Sequence, residues 1–128
     1  MRLSVLFWLF ALPAAGQTVD CAQAVTQLDM TFCAAQAWQA ADKVMNTAYL
    51  GAIALMQQID ADLPVVEQGA ERSLRQGQRA WVTFRDATCA AEGYLWHGGS
   101  IEPMVVAGCR RALTQQRSDA LQMLLETN

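Results

Sequence analysis

The sequence has few of the groups on which most enzymes and metal sites depend. Its 128 residues include a single histidine, His97. GxSxG, HExxH and CxxC motifs are all missing, which argues against a serine hydrolase, a zinc peptidase and a cysteine-rich zinc site. Acid–base chemistry could use Asp60 with Asp62, or Glu92 with Glu102, but nothing in their spacing favours this. We therefore expect a protein that is not an enzyme and that needs no cofactor.

Positive charge is also scarce and dispersed. Lysine and arginine together number 9 against 12 acidic residues, so the formal net charge is −3. The basic residues form no tract, and a protein of this balance is a poor candidate for nucleic-acid binding. An acidic surface instead favours encounter with basic partners through electrostatic steering.

The one long hydrophobic run lies at the N-terminus. Met1-Arg2 is followed by the apolar stretch 3–12, which is interrupted only by a serine and is too short to span a bilayer. Pro13 ends the run, and the small residues 14–16 resemble a cleavage site. We predict a leader over residues 1–16 and one exported domain over 17–128, periplasmic or secreted. A membrane anchor is the alternative, although no other segment reaches transmembrane length.

Four cysteines remain after this leader. In an oxidising compartment they are expected to pair, and four cysteines allow three pairings. The preferred set is Cys21–Cys33 with Cys89–Cys109, because each bond closes a modest loop worth on the order of 3 kcal/mol. A zinc site and a Cys33–Cys89 bond are the rival interpretations.

Apolar periodicity predicts an all-α fold of about three helices, a disulfide-stapled hairpin or bundle. The first helix runs from Thr26, in a sequence resembling a capping box, to about Leu63 before Pro64, and its length favours a kink or partial exposure. The second extends from near Glu67 to about residue 91. Its expected inner face comprises Leu74, Gly77, Trp81, Phe84 and Thr88.

The third helix follows a loop over residues 92–102. Pro103 suits its first turn, and Ser100 is a candidate cap. Its expected inner face comprises Val106, Cys109, Leu113, Ala120, Leu121 and Leu124. For the first helix the corresponding stripe is Trp38, Ala41, Met45, Tyr49, Ala52, Met56, Ile59 and Leu63.

Several of these residues occur in an order that resembles a known family. The motifs are Cys21 and Cys33 before Asp42, Asn46 and Tyr49, then Gln78-Arg79-Ala80-Trp81, Arg85-Asp86-x-x-Cys89, Gly98-Gly99-Ser100-Ile101, Cys109, and Leu113-Thr114-x-x-Arg117. Together they resemble the lysozyme inhibitor LprI-like N-terminal domain over roughly residues 21–125. Thr31 stands where the family usually has asparagine. The resemblance implies a helical, exported, disulfide-bonded protein and, for a few members, inhibition of lysozyme.

The polar motif residues have a structural interpretation. Asp42, Asn46 and Tyr49 share one helix face, which favours an internal hydrogen-bond network with Arg85 or Arg117 as its cation. Trp81 is expected to anchor the core, and Arg85 to cover its ring. Asp86, next to Arg85, points about 100° away and need not pair with it.

The segment between the last two cysteines is the candidate partner-binding loop. It contains Tyr94, Trp96, His97, Gly98, Gly99 and Ser100. Aromatic side chains give large contact area at low entropic cost, and a cross-linked loop loses less freedom on binding. A protein partner such as lysozyme or a related basic hydrolase would be inhibited sterically. The alternative is an adaptor or structural module of the cell envelope without inhibitory activity.

Overall fold

The computed structural model describes residues 18–127, a bundle of three α-helices. Two short 3-10 helices lie in the connections. The elements in chain order are α1 (Gln27–Asp62), a 3-10 turn (Val65–Glu67), α2 (Ala70–Gly93), a 3-10 turn (Tyr94–Trp96) and α3 (Glu102–Glu126). The all-α prediction, with a long first helix and two disulfides, is confirmed.

Helices α1 and α2 run antiparallel. Asp60, near the end of α1, binds the backbone at the start of α2, whereas Asp42, in the first half of α1, contacts Arg85 late in α2. The predicted boundaries of α1 are correct: the Thr26 side chain accepts a hydrogen bond from the Asp29 N–H, and the helix ends before Pro64. Its 36 residues correspond to about 54 Å.

Helix α3 lies antiparallel to α2 and parallel to α1. The Gln27 amide is 3.6 Å from the Met104 sulfur at the start of both helices, and Gly51 faces Leu125 near the end of α3. The α1–α3 interface is the most extensive of the three. The sequence predicts that part of the long helix α1 is exposed or kinked. Helix α3 instead packs along most of the length of α1.

Helix α2 begins at Ala70, later than predicted. Val65–Glu67 forms a separate 3-10 turn, and the N-cap position of α2 is Gly69, which has no side chain to cap the helix. The Asp60 carboxylate takes over this role by accepting hydrogen bonds from the N–H groups of residues 69, 70 and 71, at 2.8 to 3.0 Å. These bonds hold the pKa of Asp60 below its ordinary value near 3.8.

The centre of the core is small and mostly aliphatic. Tyr49, Leu74 and Trp81 pack against a fully buried cluster that consists of Met45, Ala48, Ala52 and Leu121. The predicted inner faces of α2 and α3 were partly wrong. Phe84 is 57% exposed and Leu124 38% exposed, while the buried positions include polar ones: Gln78, Arg85, Thr114 and Ser118.

Two glycines of α2 have opposite surroundings. Gly77, expected on the inner face, is exposed and a Cβ there would meet nothing within 4 Å. Gly93 is buried, and a Cβ there would lie 2.6 Å from the Cγ2 atom of Val106. Close approach between the end of α2 and the start of α3 therefore requires glycine at 93.

No helix within residues 18–127 is both long enough and apolar enough to cross a membrane.

Alanine substitution at the two glycines should have effects of opposite sign. Gly93→Ala should destabilise the protein by about 1–3 kcal/mol, because valine is stiff and cannot yield to the new methyl group. Gly77→Ala should stabilise it by about 0.5–1 kcal/mol, since glycine is entropically costly in a helix. Urea unfolding measures both, and equal effects would contradict the packing at residue 93.

Removing the Asp60 carboxylate should lower the melting temperature at neutral pH, with Asp62→Asn as the exposed control. Because the folded-state pKa of Asp60 is depressed, its contribution is present above the unfolded-state pKa and is lost as pH falls through the folded-state value. The difference between wild type and Asp60→Ala should thus shrink below about pH 4. Thermal unfolding monitored by circular dichroism at several pH values tests this, and a constant difference would contradict it.

Candidate functional site

Both disulfides lie at the end of the bundle where α2 passes into α3. Cys21–Cys33 ties the segment before α1 to the second turn of that helix, and Cys89–Cys109 joins α2 to α3. This is the preferred pairing, and it engages all four cysteines. Cys89 has no exposed surface. The chain segments at this end are therefore covalently held relative to the helices.

The predicted partner-binding loop projects from this end. Its first three residues form the 3-10 turn, and Tyr94, Leu95 and Trp96 are 68%, 79% and 49% exposed. The His97 ring stacks on the Tyr94 ring with the centroids 4.9 Å apart. Gly98 has a φ of 77°, which favours glycine at this position. Large apolar side chains are thus displayed on a backbone with a defined conformation.

Glu102 fixes the second half of the loop. Its carboxylate accepts a hydrogen bond from the Gly98 N–H at 2.9 Å and lies 3.4 Å from the Nδ1 atom of His97. The Gly98 N–H, assisted by His97, holds the pKa of Glu102 below its ordinary value. The expectation that Ser100 caps α3 was wrong: the N-cap is Ile101, without a side-chain hydrogen bond, and only the placement of Pro103 in the first turn is correct.

Charge at this end is of one sign. We call residues 18–33 together with 92–104 the acidic end. These two stretches contain four carboxylates and no lysine or arginine. The four are Asp20, Asp29, Glu92 and Glu102. The acidic end therefore combines exposed apolar side chains with an excess of negative charge.

An apolar groove separates the first turns of α1 from the start of α3. Its outer part has a volume of about 380 Å³ and is lined by Gln27, Leu28, Thr31, Ser100 and Pro103. Its inner part, about 330 Å³, shares Thr31 and Pro103 and extends to Trp38 and Arg110. Ser100 belongs to the candidate loop, so the loop and the groove form one continuous surface.

The remaining motif residues converge deeper in the bundle, around Arg85. Its side chain is 7% exposed, with Nη1 3.2 Å from Asp42 and Nε 3.0 Å from Asp86. The guanidinium also lies over the rings of Trp38 and Trp81, 5.3 and 5.2 Å from their centroids. Arg85 therefore does pair with its neighbour Asp86, contrary to the expectation from their angular separation on the helix.

Other motif residues are divided between neighbouring contacts. Asn46 donates a hydrogen bond to Asp42 at 3.2 Å, which extends the Arg85 cluster. Tyr49 packs against the aliphatic core instead. Arg117 binds the buried amide of Gln78 at 2.9 Å, and burial lowers the pKa of Arg117. The expected single network is therefore two separate ones.

Arg110 is a member of this region that the sequence interpretation missed. Its guanidinium lies over the Trp38 ring at 4.9 Å, and its Nε is 3.3 Å from Asp86. The position of Arg110 could have been inferred from the cysteine pairing. Once Cys89 is bonded to Cys109, a residue next to 109 is brought beside the turn of α2 that contains Asp86.

The geometry offers little for catalysis. Asp60 caps α2 and Glu102 holds the loop, so one member of each carboxylate pair considered above has a structural task. No cluster of three or more histidine, cysteine or acidic side chains within residues 18–127 is arranged to hold a metal ion. The arrangement suits recognition by surface contact.

Replacing Arg85 should expose how much of its role is packing. Arg85→Ala should destabilise the protein by about 2–4 kcal/mol, since both indole rings lose their covering group. Arg85→Met should recover about half of that loss, because Asp42 and Asp86 are 36% and 42% exposed and stay hydrated without their partner. The free energy of unfolding is measured with urea. Equal losses of stability in both variants would show that Arg85 stabilises the fold through its charge and not through packing.

Comparison with known proteins agrees with this geometry. The family model described as lysozyme inhibitor LprI matches residues 19–121. The chain is also 40% identical over 111 residues to an uncharacterized protein of Rhizobium meliloti (strain 1021), covering 84% of this chain and 80% of that protein. No solved structure matches. The region matched by the family model contains α1, α2, most of α3 and both disulfides, and the chain belongs to the LprI lysozyme inhibitor family.

Proposed function

We propose that this protein inhibits a lysozyme or a related peptidoglycan hydrolase by binding it at the acidic end. The observation that carries the proposal is the exposed apolar triplet 94–96, which a disulfide holds at the end of the bundle whose chain stretches contain four carboxylates. Family membership supports a lysozyme as the target.

The mechanism follows from shape and charge. A basic hydrolase is drawn to the acidic end by long-range attraction, which raises the association rate at low ionic strength. The loop from Tyr94 to Ser100 then contacts the substrate cleft and excludes the glycan chain. Preorganisation by Cys89–Cys109 and by Glu102 reduces the entropy lost on binding. Inhibition of this kind needs no chemical step.

Export completes the proposal. The apolar run 3–12 lies outside the described residues, and we interpret it as part of a leader removed after residue 16. A single domain over 17–128 would then act in the periplasm or outside the cell, where lysozymes act and disulfides persist.

Inhibition can be tested with lysozyme and a bacterial cell-wall suspension. The oxidised protein lacking residues 1–16 is titrated into the assay and the loss of turbidity is followed. We expect dose-dependent protection near equimolar ratio, with faster association as salt is lowered. Lysis unaffected by a protein with a helical circular-dichroism spectrum would refute inhibition of that lysozyme and favour the adaptor function.

Two matched double variants test the location of the contact. Leu95→Ser with Trp96→Ser should weaken inhibition at least about tenfold, because buried aromatic and aliphatic anchors dominate binding energy at interfaces. Val65→Ser with Val66→Ser is the control at the opposite end, where the side chains are 83% and 92% exposed. The inhibition constants of both double variants are measured in the turbidity assay. A larger loss for the Val65 and Val66 variant would place the contact surface at the opposite end of the bundle.

A further inference from the structure

The groove beside the loop has a mostly apolar lining and lies within the acidic end. Leu28 is 79% exposed at its mouth, and the Pro103 ring forms the facing wall. Farther in, the walls are aliphatic and aromatic: Ala35, Trp38, Val106 and Ala107. The volumes of the two parts, about 380 and 330 Å³, are sufficient for a large side chain each.

The charges around the groove restrict its occupant. Glu102 lines the inner part of the groove, whereas Asp29, in the first turn of α1, lines a separate cavity together with Asp20. Arg110, at the inner end, is engaged with the Trp38 ring and lies near Asp86. The groove lies within the acidic end, whose two stretches contain four carboxylates and no lysine or arginine, so a basic segment is favoured there and an acidic one is repelled.

We propose that this groove receives a segment of the partner in which a large apolar side chain stands next to a lysine or arginine. The apolar side chain enters between Leu28 and Pro103, and the basic residue lies toward Glu102. The contact surface is then larger than the loop alone and includes the first turns of α1. The inference rests on the proposed function for the identity of the partner, but its chemistry can be tested separately.

The test uses a synthetic peptide of alternating leucine and lysine, with a leucine–glutamate peptide of equal length as its control. Amide resonances of the ¹⁵N-labelled oxidised protein are followed during titration. We expect saturable shifts at residues 27–31 and 100–104 with the lysine peptide and none with the glutamate peptide. Shifts spread evenly over all acidic surfaces, or no saturable shift at these residues, would overturn the proposal.

Two substitutions of exposed leucines in α1 provide the matched pair. Leu28→Arg adds positive charge at the mouth of the groove and should weaken peptide binding at least about tenfold. Leu50→Arg makes the same change on a residue that is 67% exposed elsewhere on this helix, and affinity should stay within about twofold. Equal affinities for the two variants would overturn the proposal.

The same pair, assayed with lysozyme, separates this inference from the proposed function. Inhibition that survives Leu28→Arg would leave the inhibitor function intact and remove the groove from the contact surface. Peptide binding in the groove without inhibition by the wild-type protein would support the groove and refute a lysozyme as the partner.

Discussion

The disulfide between the buried Cys89 and the half-buried Cys109 is the constraint on which the rest of the structure depends. It joins the last turns of α2 to the first turns of α3, and the missing side chain at Gly93 lets these helices approach beside it. The eight residues from Tyr94 to Ile101 must then connect two helices at fixed separation. This constraint holds the backbone of the loop in place. The exposed aromatic side chains on it are therefore positioned by the backbone, since they make few contacts of their own.

Charge is used in two different ways in this small bundle. Around Arg85, two carboxylates and two indole rings surround a cation, which makes a half-buried polar junction between the helices. At the acidic end, four carboxylates have no lysine or arginine in the same stretches. The first arrangement stabilises the fold and leaves little charge to attract a partner. The second uses one carboxylate, Glu102, to hold the loop, and its excess of negative charge can attract a basic partner.

Much of the fold could be predicted because the signals were local. Thr26 and Pro64 set the limits of α1, and the cysteine spacing gave the pairing. The buried faces of α2 and α3 were harder, since Gln78, Arg85 and Thr114 are buried polar residues that a hydrophobic period cannot identify. Phe84 was assigned to the core by its apolar character, although the junction around Arg85 turns that position outward. The contact between Arg110 and Trp38 depends on how α3 is aligned along its neighbouring helices. In the sequence, only the Cys89–Cys109 pairing gives information on that alignment.

The site was predictable only in part for the same reason. The loop from Tyr94 to Ser100 follows from its composition and its flanking cysteines. The groove requires Leu28 and Pro103 to face each other across 75 positions of sequence, and this depends on α1 and α3 being parallel. No local pattern encodes that juxtaposition.

Amide hydrogen exchange of the complex with lysozyme tests the central claim most directly, because it locates the contact surface without any substitution. The account predicts that binding slows exchange in peptides covering residues 18–33 and 92–104, with little change elsewhere. Protection centred on residues 62–80, at the opposite end of the bundle, would contradict it.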